Sequence, residues 1–373
     1  MKFVISSSEL LQVVQNLVKV ISSKPAQPIL DNFLFNLSED ALEITASDSE
    51  LTLRAAIQVE NCIEPGMMAV PAKHMLDFLK EFPDQPLTIG TLNDSSYECS
   101  WASGASTLPY FPAEDYPNIP ELEKEEIKSL DFPAQVLLDG INKTVYATGD
   151  DDIRPVMNGI FFDINNNETI LVASDTHKLI CYNTVEAKYN EAISFILHKK
   201  TAGIMKTIIG KQVENVNISF DSKHAKFQID NITVLTRLIV GKYPKYKEVI
   251  PYANENKLII NRVQFLNVVR RVAVFVDKAS GTIKLDLNNN ILEVSAQDVG
   301  FSISGYDKLT CQYDGEPLKI GFNYSFLIEI LSNLDYENIE IKFGNSQRAV
   351  LINPAEDEEG DKNVCGILIP NMI

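Results

Sequence analysis

The chain has 373 residues, of which 45% are hydrophobic and 23% are charged, and its net charge is −18 at pH 7. No apolar run approaches the ~20 residues that a membrane-spanning helix needs, and residues 1–5 turn polar too soon for a signal peptide. Five widely separated cysteines without a C-x-x-C pair argue against a zinc site and a disulfide framework. We therefore expect a cytoplasmic globular protein without membrane contact.

Each third of the chain begins with an apolar strand and an amphipathic helix, within residues 3–21, 132–148 and 258–276. In the first of these segments, leucines and valines recur at helical spacing behind the N-cap candidates at positions 6–8. In the third, the apolar face is predicted to contain Val263, Leu266, Val269 and Val272.

A strand pair with a polar turn follows in each third. The predicted first strands are 32–37, 159–164 and 282–287, and their turns are 38–40, 165–167 and 288–290. Asn and Asp dominate these turns because both residues tolerate positive φ. A second helix between two strands comes next, within 71–82, 199–211 and 323–334.

The three thirds also share a sequence pattern. Residues 42–48, 170–175 and 292–298 are similar and end at Asp48, Asp175 and Asp298, which lie 127 and 123 residues apart. A period of this length corresponds to a whole domain. We predict an α+β fold written three times, with domains 1–124, 125–252 and 253–373 and a charged linker at 121–126.

Charge is unevenly distributed over this pattern. The six predicted helices carry a net charge of +6, although the whole chain carries −18. If these helices lie on one face, that face is basic and attracts the phosphate backbone without reading bases. Two such chains joined head to tail would close a pseudo-sixfold ring around a duplex. The alternative is that the helices simply favour lysine for its helix propensity.

Several short motifs in fixed order resemble one family along all 373 residues. They are residues 1–3, 24–30, 70–73, 154–159, 174–179, Tyr243-Pro244-x-Tyr246, 321–323 and 368–370. In order and spacing the chain resembles the bacterial sliding clamps, the beta subunits of DNA polymerase III.

This resemblance implies the DNA-clamp fold, in which each domain packs two helices on antiparallel sheets and one chain forms half of the ring. It implies a homodimeric processivity factor that slides on double-stranded DNA without sequence preference and has no cofactor or metal. The implied protein partners are the DNA polymerase III alpha subunit, the clamp loader and other proteins with clamp-binding motifs.

The resemblance also implies a peptide-binding pocket. Its predicted residues are Met157, Thr176, His177, Lys178, Leu179, Pro244, Val249, Ala349, Ile367, Leu368, Ile369, Pro370 and Met372. An apolar cleft of this kind rewards burial of a leucine or phenylalanine anchor by about 1.5–3 kcal/mol. Glu248, Thr176 and Asn371 depart from the common family pattern, which leaves the peptide preference open. The alternative for the apolar tail is a final strand on its own sheet.

Two further sets of residues complete the prediction. The resemblance assigns DNA contacts to Lys24, Lys73, Arg154, Lys199 and Lys200, and helical charge adds Lys206, Lys211, Arg262, Arg270 and Arg271. The predicted dimer interface joins Thr107 and Leu108 to the region of Val274 and Phe275. Phe275 as a core residue is the alternative there.

The sequence leaves two other classes of function to consider, an enzyme and a protein-binding scaffold. Ser174, Asp175 and His177 could suggest a hydrolytic triad, but adjacent residues on a strand point to opposite faces. The sequence lacks a nucleophile elbow and a phosphate-cradling glycine loop. We therefore expect no enzyme. The remaining alternative is an all-β repeat scaffold that binds only proteins.

Overall fold

The structure is a computed structural model that describes residues 1–39, 41–123, 126–356 and 363–373. Within these residues each third of the chain contains two helices and eight or nine strands. The first third contains helices α1 (Ser7–Leu17) and α2 (Ala72–Leu79). Its strands are β1 (Lys2–Ser6), β2 (Asn32–Leu37), β3 (Ala41–Ser47), β4 (Leu51–Gln58), β5 (Asn61–Glu64), β6 (Gly66–Pro71), β7 (Pro86–Asn93), β8 (Ser96–Trp101) and β9 (Gly104–Pro109).

The second and third thirds repeat this order. The second contains β10 (Lys128–Pro133), α3 (Ala134–Thr144), β11 (Gly159–Ile164), β12 (Thr169–Ser174), β13 (Lys178–Thr184), β14 (Ile193–His198), α4 (Lys199–Ile208), β15 (Asn215–Phe220), β16 (His224–Ile229) and β17 (Ile232–Arg237). The third contains β18 (Asn256–Asn261), α5 (Arg262–Val272), β19 (Thr282–Asn288), β20 (Ile291–Asp298), β21 (Ile303–Thr310), β22 (Gln312–Asp314), β23 (Leu318–Asn323), α6 (Tyr324–Asn333), β24 (Asn338–Phe343), β25 (Val350–Pro354) and β26 (Val364–Leu368).

Helix α1 begins where its N-cap candidates predict, and the helices end earlier than the apolar patterns suggest. Ser6 caps α1, since its Oγ accepts a hydrogen bond from the backbone N–H of Glu9. After α1 the chain tightens into a 3₁₀ turn at Val18–Val20. The prediction for α5 was wrong at Val263, which is exposed on the first turn, because the buried face contains Phe265 and Val268 instead.

The predicted turns form by two different mechanisms. Asn289 and Asn290 adopt positive φ values of 50° and 61°, as expected for a tight hairpin between β19 and β20. The turn between β11 and β12 does not use positive φ. There the Asn165 side chain accepts hydrogen bonds from the backbone of residues 167 and 168. The first predicted turn includes residue 40, which is outside the described residues.

The described strands form four antiparallel sheets in two compact units. The first unit comprises Met1–Gln135 and Gly203–Leu238, and the second comprises Val136–Ala202 and Ile239–Ile373. The first unit holds the sheets β5-β1-β7-β8-β9 and β10-β15-β16-β17-β4-β3-β2-β6. The second unit holds β14-β11-β12-β13-β26-β25-β24-β18-β22 and β21-β20-β19-β23.

Each unit contains one sheet that is continuous between neighbouring repeats. In the second unit β13 pairs with β26, from Lys178 opposite Leu368 to Tyr182 opposite Val364. In the first unit β4 pairs with β17 in the corresponding way. The three-domain division stays a prediction, and its first boundary, at 124/125, lies outside the described residues. No described helix is long and apolar enough to cross a membrane.

Candidate functional site

A cavity of about 240 Å³ lies in the second unit, where β13 meets β26. Its walls come from the loop between β12 and β13, from the segment 243–249, and from the last strands of the third repeat. The lining residues are Met157, Ser174, Thr176, His177, Lys178, Leu179, Tyr243, Pro244, Tyr246, Val249, Ala349, Ile367 and Ile369. Ten of these belong to the predicted peptide pocket, so the structure brings most of that set together.

The loop between β12 and β13 is shaped by its own side chains. Asp175 Oδ1 accepts hydrogen bonds of 2.9 Å from the backbone N–H groups of both His177 and Lys178. Ser174 Oγ donates to the carbonyl of Lys178 and accepts from the backbone N–H of Thr176. Thr176 itself adopts a φ of 78°, in the left-handed region that favours glycine. Threonine is strained in this conformation.

The same hydrogen bonds exclude a catalytic relay among these residues. Ser174 Oγ is engaged by the loop backbone, and Asp175 Oδ2 lies 2.5 Å from Lys178 Nζ. The His177 ring stacks on Phe326, with ring centroids 5.4 Å apart. Ser174, Asp175 and His177 are therefore not aligned as nucleophile, orienting acid and base.

Aromatic residues form another part of the cavity wall. Tyr243 is buried and stacks on Phe161, with ring centroids 4.7 Å apart and an interplanar angle of 3°. The hydroxyl of Tyr246 donates a 2.7 Å hydrogen bond to Asp163 Oδ2. Burial and this hydrogen bond raise the pKa of Tyr246 well above its ordinary value, so the phenol stays protonated. These contacts fix the wall that also presents Pro244.

The cavity includes three residues that were not among the predicted pocket residues, namely Ser174, Tyr243 and Tyr246. The sequence contained a signal for the two tyrosines, because they flank Pro244 in a repeated Tyr-Pro element. For Ser174, only its position beside Asp175 in the sequence could have indicated a place in the cavity wall.

Three predicted pocket residues do not line the cavity. Leu368 is fully buried, because residues alternate along β26 and Ile367 takes the side facing the cavity. Pro370 follows the strand and is absent from the cavity wall. Met372 is 90% exposed and lies instead beside a second cavity at the four-stranded sheet. The tail turns there because the Asn371 N–H donates to the carbonyl of Gly321.

The predicted DNA-binding residues differ in their exposure and in their contacts with other residues of the chain. Those on the exposed surface are Lys24, Lys73, Lys200, Lys206, Lys211 and Arg270. Lys199 is half-buried, and its Nζ lies 2.9 Å from the carbonyl oxygen of Gly149 and 3.1 Å from Asp150. Two arginines form surface ion pairs of 2.6–2.7 Å, Arg154 with Asp151 and Arg271 with Asp307. Such pairs are weak enough to be exchanged for a phosphate.

Arg262 forms hydrogen bonds with backbone carbonyls, which the charge of its helix did not predict. Its Nε donates to the carbonyl of Tyr336 at 2.7 Å, and its Nη1 donates to the carbonyl of Leu331 at 2.9 Å. These carbonyls lie at and just after the C-terminal end of α6, where backbone acceptors lack helical partners. This geometry favours a capping role for Arg262 over a DNA contact.

The predicted interface residues lie on or beside the edge strands of two sheets, one sheet in each unit. Thr107 and Leu108 belong to β9, the edge strand of the five-stranded sheet. Val274 and Phe275 lie in a 3₁₀ turn after α5, not on a strand, and Val274 is 73% exposed. Phe275 packs against Gly305 of β21, the edge strand of the four-stranded sheet.

Family models establish what kind of chain this is. Three models of the DNA polymerase III beta subunit match in succession: the N-terminal domain at 1–120, the central domain at 131–245 and the C-terminal domain at 247–365. The chain belongs to the DNA polymerase III beta subunit family. Membership identifies a sliding clamp of DNA replication, from a family of non-catalytic accessory proteins.

Individual relatives agree with this assignment along nearly the whole chain. The beta sliding clamp of Vibrio cholerae is 24% identical over 360 residues, covering 96% of this chain and 97% of that one. The beta sliding clamp of Pseudomonas aeruginosa is 25% identical over 362 residues with the same coverage.

Solved structures share the fold. The DNA polymerase III subunit beta from Pseudomonas aeruginosa superposes with a TM-score of 0.94 at 23% identity, covering 100% of both chains. The sliding clamp from Bacillus subtilis gives 0.91 at 23% identity, covering 100% of this chain and 99% of that one. The predicted α+β DNA-clamp fold is therefore confirmed.

Proposed function

We propose that two copies of this chain close into a ring that encircles double-stranded DNA and slides along it in the cytoplasm. The ring would tether the DNA polymerase III alpha subunit and raise its processivity. The observation that carries this proposal is the succession of three family matches along one chain. A threefold chain needs only one partner copy to complete a pseudo-sixfold ring.

The proposed ring joint pairs the edge strands β9 and β21 of different copies. Unpaired edge strands present N–H and C=O groups that invite association, and pairing satisfies them. Exposed apolar side chains lie on β21 and next to it, among them Tyr306 on the strand and Val274 and Phe301 nearby. Apolar groups clustered at a free edge are typical of an interaction surface.

The proposed DNA contacts come from the basic residues of the helices and nearby loops. Helix α4 carries Lys199, Lys200 and Lys206 and no acidic residue. Lysines at this density attract phosphates by charge alone, which lets a protein move along DNA without recognising sequence. The strongly negative net charge of the chain would keep DNA from binding elsewhere.

The cavity at the β13–β26 junction is the proposed docking site for partner peptides. Its wall is largely aliphatic and aromatic, so it suits a leucine or phenylalanine anchor, whose burial contributes about 1.5–3 kcal/mol. Proteins with clamp-binding motifs, including the clamp loader, would use this one site in turn. Griselimycin is bound to sliding clamps of Pseudomonas aeruginosa and Bartonella birtlesii in solved structures. Besides partner peptides, it can be used to test ligand binding by this chain.

The assembly is tested first by its mass. The chain mass is 41.7 kDa, so a dimer has a mass of about 83 kDa by doubling. Light scattering at micromolar concentration should report this value. A purely monomeric protein under these conditions would contradict the ring.

A further inference from the structure

Lys178 is a buried cation in the wall of the cavity. Its side chain is only 4% exposed, although lysine is among the residues least often buried. Its Nζ lies 2.5 Å from Asp175 Oδ2 and 2.9 Å from Glu329 Oε2. A buried charge is tolerated when it is paired, so these two carboxylates are what hold the ammonium in place.

Asp175 links this ammonium to the shape of the loop. One of its oxygens accepts the backbone N–H groups of His177 and Lys178, while the other contacts Lys178 Nζ. Thr176 is held between them at positive φ. A shift of the ammonium therefore shifts the same carboxylate that shapes the backbone of three cavity residues.

Helix α6 provides the second anchor. Glu329 and Phe326 lie three residues apart on this helix and thus on one face. The Phe326 ring stacks on His177 and also lies beneath Lys178 Nζ, 4.5 Å from the ring centroid. Glu329 pairs with the same ammonium. One face of α6 thus contacts two adjacent residues of the cavity wall.

Glu329 is not itself part of the cavity wall. We propose that Glu329 is a positioning residue for the peptide cavity, which it acts upon through Lys178. By holding the ammonium against α6, Glu329 fixes the loop that presents Thr176 and His177 to a bound peptide. This inference rests on the proposed peptide-docking function of the cavity.

The test uses the full-length protein and a fluorescein-labelled hexapeptide that ends in Leu-Phe, with an Ala-Ala version as the reference. Glu329→Gln keeps the size of the side chain but removes its charge. Because it removes one of the two carboxylates that pair with the buried ammonium of Lys178, we expect peptide affinity, measured by fluorescence anisotropy, to fall about tenfold. Glu329→Asp, which keeps the charge, should restore part of the loss.

A matched control is available nearby. Asp335 pairs with Lys143, and Asp335→Asn removes one ion pair and one negative charge without touching the loop 174–178. Its peptide affinity should stay within about twofold of the unmodified protein. In a Lys178→Met background, Glu329→Gln should change the affinity by no more than about twofold, since the residue through which it acts is gone.

The possible outcomes distinguish the docking function of the cavity from the positioning role of Glu329. Failure of the unmodified protein to prefer the Leu-Phe peptide over the Ala-Ala peptide would reject the docking function and this inference with it. Unchanged affinity of Glu329→Gln, beside normal binding by the unmodified protein, would overturn the positioning role alone. Equal weakening by Glu329→Gln and Asp335→Asn would also overturn it, because a general loss of stability would then explain both.

Discussion

The ring of Phe275 lies directly against the backbone of Gly305. A methyl group on Gly305 would lie 2.3 Å from Cδ2 of Phe275, well inside contact distance. Gly305 belongs to the edge strand β21, and the side chain of Phe275 covers the backbone of this strand. We propose that β21 forms one half of the dimer interface. The close approach requires glycine and couples Phe275 to the shape of that edge.

Gly305→Ala should therefore weaken the dimer. Displacing the packed aromatic ring of Phe275 costs about 1–3 kcal/mol, and the displaced ring lies at the proposed dimer joint. Sedimentation analysis should show the dimer dissociating at higher concentration than in the unmodified protein, while peptide binding is retained.

The control for this substitution is Gly203→Ala, within α4. Apart from the helix's own backbone and the two adjacent residues, no atom of the described residues lies within 4 Å of the added methyl group. The change should therefore stabilise the helix by about 0.5–1 kcal/mol and leave the dimer unchanged. A Gly305→Ala protein that dimerises like Gly203→Ala would argue against β21 as the joint.

Helix α4 is basic, so we expect the affinity of the protein for DNA to depend on salt concentration. Lys206 is exposed on this helix, and its replacement by alanine should remove one phosphate contact. The slope of log K against log salt for a duplex should then become shallower by about 0.9. Lys319→Ala makes the same charge change on β23, where Lys319 pairs with Asp286, and should leave the slope unaltered. Equal slopes for both variants would remove Lys206 from the DNA contacts.

The tail offers a comparison between neighbouring apolar residues. Ile369 lines the cavity, whereas Met372 is almost fully exposed away from it. Ile369→Ala should weaken peptide binding about tenfold through lost apolar contact, while Met372→Ala should change it by less than about twofold. Anisotropy with the Leu-Phe peptide distinguishes them, and a larger effect at Met372 would show that the tail docks differently when peptide is bound.

Asp221 gives a prediction about stability and pH. Burial alone would raise the pKa of this carboxyl, but hydrogen bonds from the backbone N–H groups of Glu123, Lys223 and His224 outweigh it and lower the pKa below the ordinary value of 3.8. A carboxyl with a lowered folded-state pKa stabilises the fold above its unfolded-state pKa and loses that contribution in acid.

Asp221→Ala would leave these three N–H groups without an acceptor, so it should lower the free energy of unfolding by about 2–4 kcal/mol at neutral pH. The difference from the unmodified protein should be constant above about pH 5 and shrink as pH falls below about 4. Urea unfolding across this range measures it. A difference that grows in acid would contradict the assigned pKa direction.

Local signals in the sequence predicted most of the fold. Apolar periodicity and N-cap residues located the helices, because both act within one or two turns of chain. The same reasoning misplaced Val263, since its apolar character fits the pattern while the buried face of α5 contains Phe265 and Val268 instead. It also gave no hint that Asn165 would shape its turn through its side chain and not through positive φ.

The cavity was predictable only in part, for a different reason. Resemblance to a family supplied its positions, but the alternation along β26 and the bond between Asn371 and Gly321 decide which tail residues face it. The pairing of Lys178 with Glu329 joins residues 151 positions apart. A contact of that separation depends on how strands and helices are assembled, which no local pattern records.

If the protein holds DNA by enclosing it, as we propose, it should leave DNA through a free end. Protein loaded by its clamp loader onto a nicked circular plasmid should stay bound through gel filtration. Cutting the plasmid once with a restriction enzyme should release it, because a closed ring slides off a free end. Equal retention on circular and linear DNA would contradict enclosure and leave only surface binding.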